Sequence, residues 1–289
     1  MGSKFVKDEA DWNTACHEDF YHHYERQSGG EADWGRFQMI HATLWRALGQ
    51  PAGALRVGDI GCGAGTQCRL WAGMGHRVSG VDINEALIGL ARKRAGQAGL
   101  DINFAVASAT ALPWDDDSMD LCLAPELLEH VTDWATCLRE MVRVLRPGGA
   151  LFVSTSNMLC PVQEEFSLPL YSWYPSFLKR RYEHLARTTR PELAGYATYP
   201  AVNWFTYYGL RRHLAAQGLR CMDRFDMMDV SRHGPLASAL VRAIRRLAPL
   251  RFLAHVATPY TILLGIKPGA ASGYAAGAGQ SATAPPPTA

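Results

Sequence analysis

The sequence predicts an α/β fold built on a mainly parallel sheet of seven strands. Three observations predict it. Short apolar runs alternate with stretches of helical period between residues 55 and 157. Glycine, asparagine or proline punctuates the junctions, and two further β-rich runs follow after residue 209. Strands separated by helices need right-handed crossovers, which lay helices on both faces of a parallel sheet.

The elements follow in order. Trp34, Phe37, Ile40, Leu44 and Trp45 recur at near-helical spacing, so residues 1–50 read as a mostly helical cap. Strands are expected at residues 55–60, 77–83, 102–107, 119–124 and 150–156. The helix between the second and third starts at Asn84, a good N-cap, and stops at Gly99. Leu138, Met141, Val142 and Leu145 mark one face of a helix from residue 134, ended by Pro147-Gly148-Gly149. A helix over 208–218 precedes a strand at 220–229, and the seventh strand covers 260–266. Residues 158–208 break the alternation and read as an insertion after the fifth strand. The expected organisation is a cap (1–50), a core (51–157), a substrate lid (158–208), completion of the sheet (209–268) and a tail (269–289). The tail is Ala, Gly, Ser and Pro without charge, and too little apolar surface can be buried there to offset chain entropy, so disorder is expected.

Composition narrows the function. With 48% apolar and 19% charged residues in 289, the chain has ample material for a core. A net charge of +2, from 29 basic and 27 acidic residues, speaks against duplex nucleic acid as the partner. No Asn/Asp-Pro-Pro-aromatic motif points to base methylation either. No apolar run approaches the ~18 residues of a membrane span, and the first residues lack the apolar region of a signal peptide. A cytoplasmic location is expected. Seven cysteines are scattered without a Cys-x-x-Cys pair, which fits reduced thiols and disfavours structural zinc.

The informative turn is Val57-Gly58-Asp59-Ile60-Gly61-Cys62-Gly63-Ala64-Gly65, where a strand gives way to a helix. Gly61 permits a sharp turn, and Gly63 and Gly65 let the backbone approach a ligand. Amides at the following helix N-terminus favour negative charge. Asp82 stands 21 residues after Gly61, at the end of the second strand, where a carboxylate accepts bonds from ribose hydroxyls. Asp59 argues against a dinucleotide, because a carboxylate repels a pyrophosphate but attracts an ammonium. S-adenosylmethionine has an amino-acid end and no phosphate. Asp59 would hold its ammonium and the loop amides its carboxylate. An ordinary glycine turn of an α/β protein is the alternative.

The runs Asp59–Gly65, Val81-Asp82-Ile83-Asn84, Ala111-Leu112-Pro113-Trp114-Asp115, Leu127-Leu128-Glu129-His130-Val131 and Arg143-Val144-Leu145-Arg146-Pro147-Gly148-Gly149 resemble, in order and spacing, the class I S-adenosylmethionine-dependent methyltransferases. The resemblance covers residues 55–157, and residues 201–267 by topology. It implies a Rossmann-like seven-stranded sheet with the last strand antiparallel. It implies that Asp59, Gly61, Gly63 and Gly65 contact the methionine part of the cofactor, that Asp82 holds the ribose and that Ile83 packs on adenine. Many members carry Asp after the third strand to meet the adenine amino group. Here the run is Ala107-Ser108-Ala109-Thr110-Ala111-Leu112-Pro113, with Ser108 in that place and Ala109 beside it. A serine hydroxyl still accepts a hydrogen bond, without charge.

Pro125-Glu126-Leu127-Leu128-Glu129-His130-Val131 is similar to the E-x-L-E-H-V run of the O-methyltransferases of ubiquinone biosynthesis, which act on polyprenylated dihydroxyphenols. That resemblance implies a cofactor contact at Pro125 and associates Glu126, Glu129 and His130 with a divalent metal such as magnesium. If residues 126–131 are helical, the three share one face. A cation held there would polarise a phenolic oxygen. Without metal, His130 would serve as general base beside Glu129, since its ordinary pKa lies near neutrality. A purely structural role for the three is the remaining alternative. The lid segment has no counterpart that transfers the substrate.

Residues 166–208 hold twelve of the chain's 29 aromatics: Phe166, Tyr171, Trp173, Tyr174, Phe177, Tyr182, Tyr196, Tyr199, Trp204, Phe205, Tyr207 and Tyr208. An aromatic-lined acceptor pocket is one reading, with Tyr182 and His184 in reach of the acceptor, and a lid with its own core is the other. Lys179, Arg180, Arg181, Arg187 and Arg190 add positive charge. Leu236, Leu240, Val241, Ile244 and Leu247 mark one helical face, with Arg242, Arg245 and Arg246 opposite. Such a helix either covers the core or lies on an anionic membrane as a peripheral contact. Taken together, the sequence predicts methyl transfer from S-adenosylmethionine to a small-molecule hydroxyl: a phenol or quinone precursor, a lipid-linked acceptor, or a sugar or secondary metabolite. A cofactor-binding regulatory or assembly protein without turnover is the alternative, and a nucleotide-dependent oxidoreductase stands third.

Overall fold

The computed structural model describes residues 30–163, 165–194, 201, 203–230 and 234–269. A seven-stranded sheet organises them. Its strands are β1 (Arg56–Ile60), β2 (Arg77–Asp82), β3 (Ile102–Val106), β4 (Met119–Pro125), β5 (Leu145–Ser156), β6 (Arg220–Asp223) and β7 (Tyr260–Ile266), in spatial order β3-β2-β1-β4-β5-β7-β6. The first five strands are parallel, and β7 runs antiparallel between β5 and β6. The expected strand count and the reversed last strand are both found.

Helices cover both faces of the sheet. They are α1 (Glu31–Leu48), α2 (Thr66–Gly73), α3 (Glu85–Gln97), α4 (Trp134–Val144), α5 (Ser176–Thr188), α6 (Tyr207–Ala216), α7 (Arg224–Met227), α8 (Pro235–Arg246) and α9 (Ala248–Val256). One core layer joins Phe37, Ile40 and Leu44 of α1 to Trp71 of α2 and to Val57, Leu121 and Phe152 of the sheet. The opposite layer packs Leu138, Met141 and Val142 of α4 and Leu210 and Leu214 of α6 on Ile60, Cys122, Leu151 and Leu263. Alternate residues of β1 and β4 therefore serve opposite layers. That is why β4 is a near-continuous buried apolar run rather than an alternating one.

Several boundaries differ from expectation. Residues 1–29 and 270–289 lie outside the described residues, so the rest of the cap and nearly all of the tail do too. The strand at 220–229 ends at Asp223. Its carboxylate accepts from the amides of Phe225 and Asp226, and the Asp226 carboxylate accepts from the Asp223 amide. This reciprocal cap turns the chain into α7. The fifth strand starts at Leu145 rather than residue 150. The Pro147-Gly148-Gly149 stretch is a bulge, and Gly148 and Gly149 exchange hydrogen bonds with Lys267. The helical pattern expected from residue 236 is two helices, divided at Leu247. None of the six described cysteines is in a disulfide, and Cys16 lies outside the described residues.

The insertion leaves and re-enters at the carboxyl end of β5. Asn157 bridges to Phe205, and the Met158 amide donates to the Phe205 carbonyl at 2.8 Å. Both ends of the lid are thereby fixed beside the carboxyl edge of the parallel strands, where sheets of this kind bind ligands.

A buried charge network holds α7 and α9 to this frame. Asp223 is fully buried and receives Arg251 Nε at 2.6 Å and His255 Nε2 at 2.9 Å, while Arg251 also pairs with Asp226. Burial opposes its charge, yet the bonds from His255 and Arg251 win and hold its pKa down at about 2. Asp223→Ala leaves Arg251 and His255 without this acceptor, so a loss of about 3 kcal/mol of stability is expected in urea denaturation.

Candidate active site

The glycine turn lies between β1 and α2. Gly61, Gly63 and Gly65 all have positive φ, at 76°, 51° and 73°. Gly65 is the α2 N-cap, and a Cβ there would lie 2.9 Å from both Ala91 Cβ and Phe104 Cζ. A Cβ on Gly61 would meet Leu127 Cδ1 at 2.8 Å. At these two positions the absence of a Cβ admits neighbouring protein side chains, a packing reason for glycine that the sequence did not reveal.

The amides divide as well. Those of Gly61 and Cys62 donate to the Val81 carbonyl, that of Gly65 to Cys62, and that of Gly63 to Asp82 Oδ2 at 2.8 Å. Four amides of the turn thus hold the turn itself. This corrects the expectation that the loop as a whole presents its amides to a ligand. The first turn of α2, from Thr66, keeps donors without intrahelical acceptors, as helix geometry requires. Those donors suit a carboxylate.

Asp59 is 1% exposed and points from β1 toward α2, where Cys68 Sγ lies 3.2 Å from Oδ2. Burial pushes its pKa up to about 7. The Cys68 bond works against that, and the charge of Asp82 adds to it. Among the described residues no basic side chain pairs with it. A carboxylate held this way gains from an incoming cation and loses from an incoming phosphate.

Asp82 is placed differently. Its two oxygens accept from the amides of Gly63 and Asn84, each at 2.8 Å, so it ties β2 to the glycine turn. Burial raises its pKa, and those amide bonds oppose the rise. A carboxylate has about four acceptor sites, so ribose hydroxyls remain within its capacity. Ile83 is exposed beside it, and so is Val106, across the β2–β3 register from Asp82. Two apolar side chains open to solvent at one strand edge form a surface suited to a planar base. Sequence reasoning missed Val106, which only strand register sets across from Asp82. The Ser108 hydroxyl is engaged with Thr110 Oγ1 at 2.7 Å, and Ala109 packs against the core.

β4 delivers Pro125 to the same edge, beside Ser154 of β5. The following residues are not helical. Glu126 has φ 53°, and Asn203 Nδ2 donates to the carbonyls of Leu128 and Val131 at 3.1 and 2.7 Å. The positive φ of Glu126 breaks the ladder at its start, and the amides of His130 and Val131 bond three rather than four residues back, to Leu127 and Leu128, so residues 126–131 form consecutive turns. The shared helical face of Glu126, Glu129 and His130 is therefore corrected. Glu126 pairs with Arg36 of α1 at 2.9 Å, a contact with no local signal in the sequence. Glu129 is 1% exposed and accepts from Thr155 Oγ1 at 2.7 Å. Among the described residues no three acidic, histidine or cysteine side chains form a group able to hold a metal ion. The donor set does not fit a divalent cation.

Burial also sets the protonation states. It pushes Glu129 up to about 8, helped by the charges of Glu165 and Glu126 and opposed by its hydrogen bonds. His130 is driven down to about 4, with the charge of Glu126 opposing. At neutral pH both are uncharged. Glu165, which the sequence reading missed, stands close by and accepts from Ser156 Oγ at 3.5 Å and the Ala201 amide at 3.1 Å.

The lid aromatics mostly pack on one another. Phe166, Tyr171, Tyr174, Tyr182 and Trp204 belong to one cluster, with Phe166 and Tyr171 stacked at 4.0 Å. Phe205 and Tyr207 enter the main core. This favours the lid with its own core over an aromatic-lined pocket. Lys179 donates to the Ser172 carbonyl and sits 4.5 Å from the Trp204 ring, while Arg180, Arg181, His184 and Arg190 are exposed. Tyr196, Tyr199 and the side chain of Arg187 lie outside the described residues.

Comparisons with known proteins agree with this geometry. A family model described as a methyltransferase domain matches residues 58–153. The ubiquinone biosynthesis O-methyltransferase of Brucella anthropi is 30% identical over 200 residues, covering 67% of this chain and 70% of that protein. The chain belongs to the class I S-adenosylmethionine-dependent methyltransferases. The enzyme of the same name from Sinorhizobium medicae is 40% identical over 108 residues, and the match spans 37% of this chain and 44% of that methyltransferase. The likeness to this relative is thus concentrated in less than half of its length. In fold, the methyltransferase is similar to phosphoethanolamine N-methyltransferase 2 of Haemonchus contortus, solved with phosphomonomethylethanolamine and S-adenosylhomocysteine. That match has TM-score 0.57 and 16% identity over 91% of this chain and 61% of the other.

The buried acid gives a prediction with a definite sign. A carboxyl whose pKa is raised in the folded state favours folding while protonated, and that advantage is lost as pH rises from its unfolded value near 4 through about 7. Asp59→Asn is expected to flatten this part of the stability–pH curve measured by urea denaturation, and to be more stable than wild type at pH 7.

Proposed function

We propose that the protein transfers a methyl group from S-adenosylmethionine to a hydroxyl oxygen of a small-molecule acceptor, with His130 as general base. The observation that carries the reading is the buried carboxyl of Asp59 beneath the glycine turn, bonded to the Cys68 thiol and without a basic partner among the described residues, which suits the ammonium of the cofactor and not a pyrophosphate. Asp82, Ile83 and Val106 lie at the same strand edge, where they would hold ribose and adenine. The first-turn amides of α2 would hold the methionine carboxylate. When bound, the cofactor supplies an electrophilic methyl on a sulfonium.

The chain's own residues have two tasks there. One is to position the acceptor oxygen in line with the methyl, so that the carbon–oxygen bond forms as the carbon–sulfur bond breaks. The other is to take the hydroxyl proton as charge leaves the oxygen. His130 is uncharged above about pH 4, so its ring has a nitrogen free of a proton, and the charge of Glu126 favours the protonated form against the burial that opposes it. Glu129, protonated up to about pH 8 and bonded to Thr155, acts as a neutral positioning residue beneath it. Arg36 holds Glu126 to α1 and so braces the turn that carries His130. Oxygen as the nucleophile is supported by relatives that are named O-methyltransferases.

Isotope-labelled S-adenosylmethionine, incubated with fractionated small-molecule extract and followed by mass spectrometry, is expected to yield an O-methylated product. Tight cofactor binding with no acceptor methylated in any fraction would contradict the proposal and favour a non-catalytic binding protein.

With that acceptor, His130→Ala is expected to lower kcat by about a hundredfold or more while cofactor affinity changes by less than about threefold. The wild-type kcat is expected to show no rising limb between pH 6 and 7, because His130 is already neutral there. Its change is expected near pH 8, where Glu129 ionises. A limb near 6.5 would place the base elsewhere.

A further inference from the structure

The pair α8 and α9 carries its apolar surface on the wrong side for a helix that covers a core. The inward side of α8 is built from Ser238, Val241 and Arg245. Ser238 Oγ donates to the Val230 carbonyl at 2.7 Å, Val241 is buried, and Arg245 donates to the carbonyls of Phe225, Asp226 and Met228. Leu236 and Leu240, four residues apart, lie on the opposite side at 84% and 57% exposure, and Leu247 continues their row. On α9, Arg251 and His255 turn inward to Asp223, while Phe252 and Leu253 are exposed. Leu236, Leu240, Leu247 and Leu253 thus face away from the fold, and the half-exposed Phe252 has its ring 6.3 Å from that of Tyr208 on α6. Scattered single exposures are ordinary, but a row of this kind is not.

Charge identifies the occupant. Arg242 and Arg246 are exposed on the flank of α8, between the leucine row and the inward side. No aspartate or glutamate occurs after Asp229, so residues 235–256 hold four arginines and no acid. A second copy docked through the same face would set arginines of both copies against each other without an acidic residue from these helices between them. An anionic bilayer meets both requirements: its headgroups take the arginines and its acyl boundary takes the leucines.

We propose that the outward face of α8 and α9, formed by Leu236, Leu240, Leu247, Phe252 and Leu253 with Arg242 and Arg246, is a docking surface for anionic lipid membranes. The helices lie in the interface rather than across it, and no described helix is long and apolar enough to span a bilayer. Asp223 holds α9 through Arg251 and His255, and Arg245 ties α8 to the carbonyls around α7, so the face is presented on a fixed platform.

The test is cosedimentation of the full chain with vesicles of phosphatidylcholine alone, or with about three parts in ten phosphatidylglycerol. Wild type is expected to partition at least about tenfold more strongly to the anionic vesicles. The double variant Leu236→Ser, Leu240→Ser is expected to lose about tenfold or more of that binding, with circular dichroism and Tm unchanged because neither side chain packs on the fold. Arg242→Gln with Arg246→Gln is expected to remove the preference for the anionic vesicles and keeps the leucines as an independent check. No binding to either vesicle, equal binding to both, or binding that both double variants retain would overturn the proposal. A wild-type dimer in sedimentation velocity that the leucine variant converts to monomer, without vesicle binding, would assign the face to a second copy instead. None of these readouts depends on methyl transfer.

Discussion

A carboxylate buried where its charge is least welcome governs the chemistry of this site. Asp59 has the sheet on one side and α2 on the other, with a thiol as its hydrogen-bond donor. Burying an unpaired charge is among the costlier arrangements a fold can hold, and the apo protein answers by keeping the proton near neutrality. The ligand that best fits brings its own positive charge. Asp82, a short distance away, shows the contrast: both of its oxygens accept backbone amides and so set the shape of the turn. One acid builds the loop, and the other stays available for a ligand's cation.

The turn after β4 is a second case of polar groups held by protein partners, with Glu129 buried and Glu126 half-exposed. Glu126 departs from helical φ, Asn203 reaches back to capture two carbonyls, and Thr155 donates to Glu129 from the neighbouring strand. His130 and Glu129 are consequently both neutral at pH 7, whereas in water the glutamate would be ionised and the histidine already mostly neutral. Among the described residues these side chains form no group able to hold a metal ion, which speaks against the metal role that the three-residue spacing left open.

The parallel half of the sheet was legible because each strand there carries local punctuation. Asn84 caps α3 through Leu87, and the glycines after β1 mark a turn that no other residue type makes as readily. Where a partner distant in sequence decides, the pattern misled. Pro147-Gly148-Gly149 reads as a stop, yet Lys267 pairs with the glycines and draws them into β5 as a bulge. Arg220 to Asp229 reads as one strand, although the aspartates at 223 and 226 form a capping box that could have been noticed. The helical case for residues 126–131 fails because Glu126 takes a positive φ, and Asn203, more than 70 residues away, holds the resulting turns through the Leu128 and Val131 carbonyls. Asp59 and Asp82 were visible as candidates from spacing alone, but their unequal satisfaction is a property of burial. Likewise the leucine stripe of α8 was plain in the sequence, whereas its outward direction depends on what α7 presents to the other side.

Proton release on cofactor binding tests the central claim most directly. Titration calorimetry of S-adenosylmethionine at pH 6.5, in buffers of different ionisation enthalpy, counts protons exchanged. If an ammonium settles beside Asp59, the carboxyl gives up roughly three quarters of a proton at that pH, given a starting pKa of about 7. Asp59→Asn should release correspondingly less and bind about tenfold or more weakly. Binding with no proton release, or with the same release from Asp59→Asn, would contradict the account.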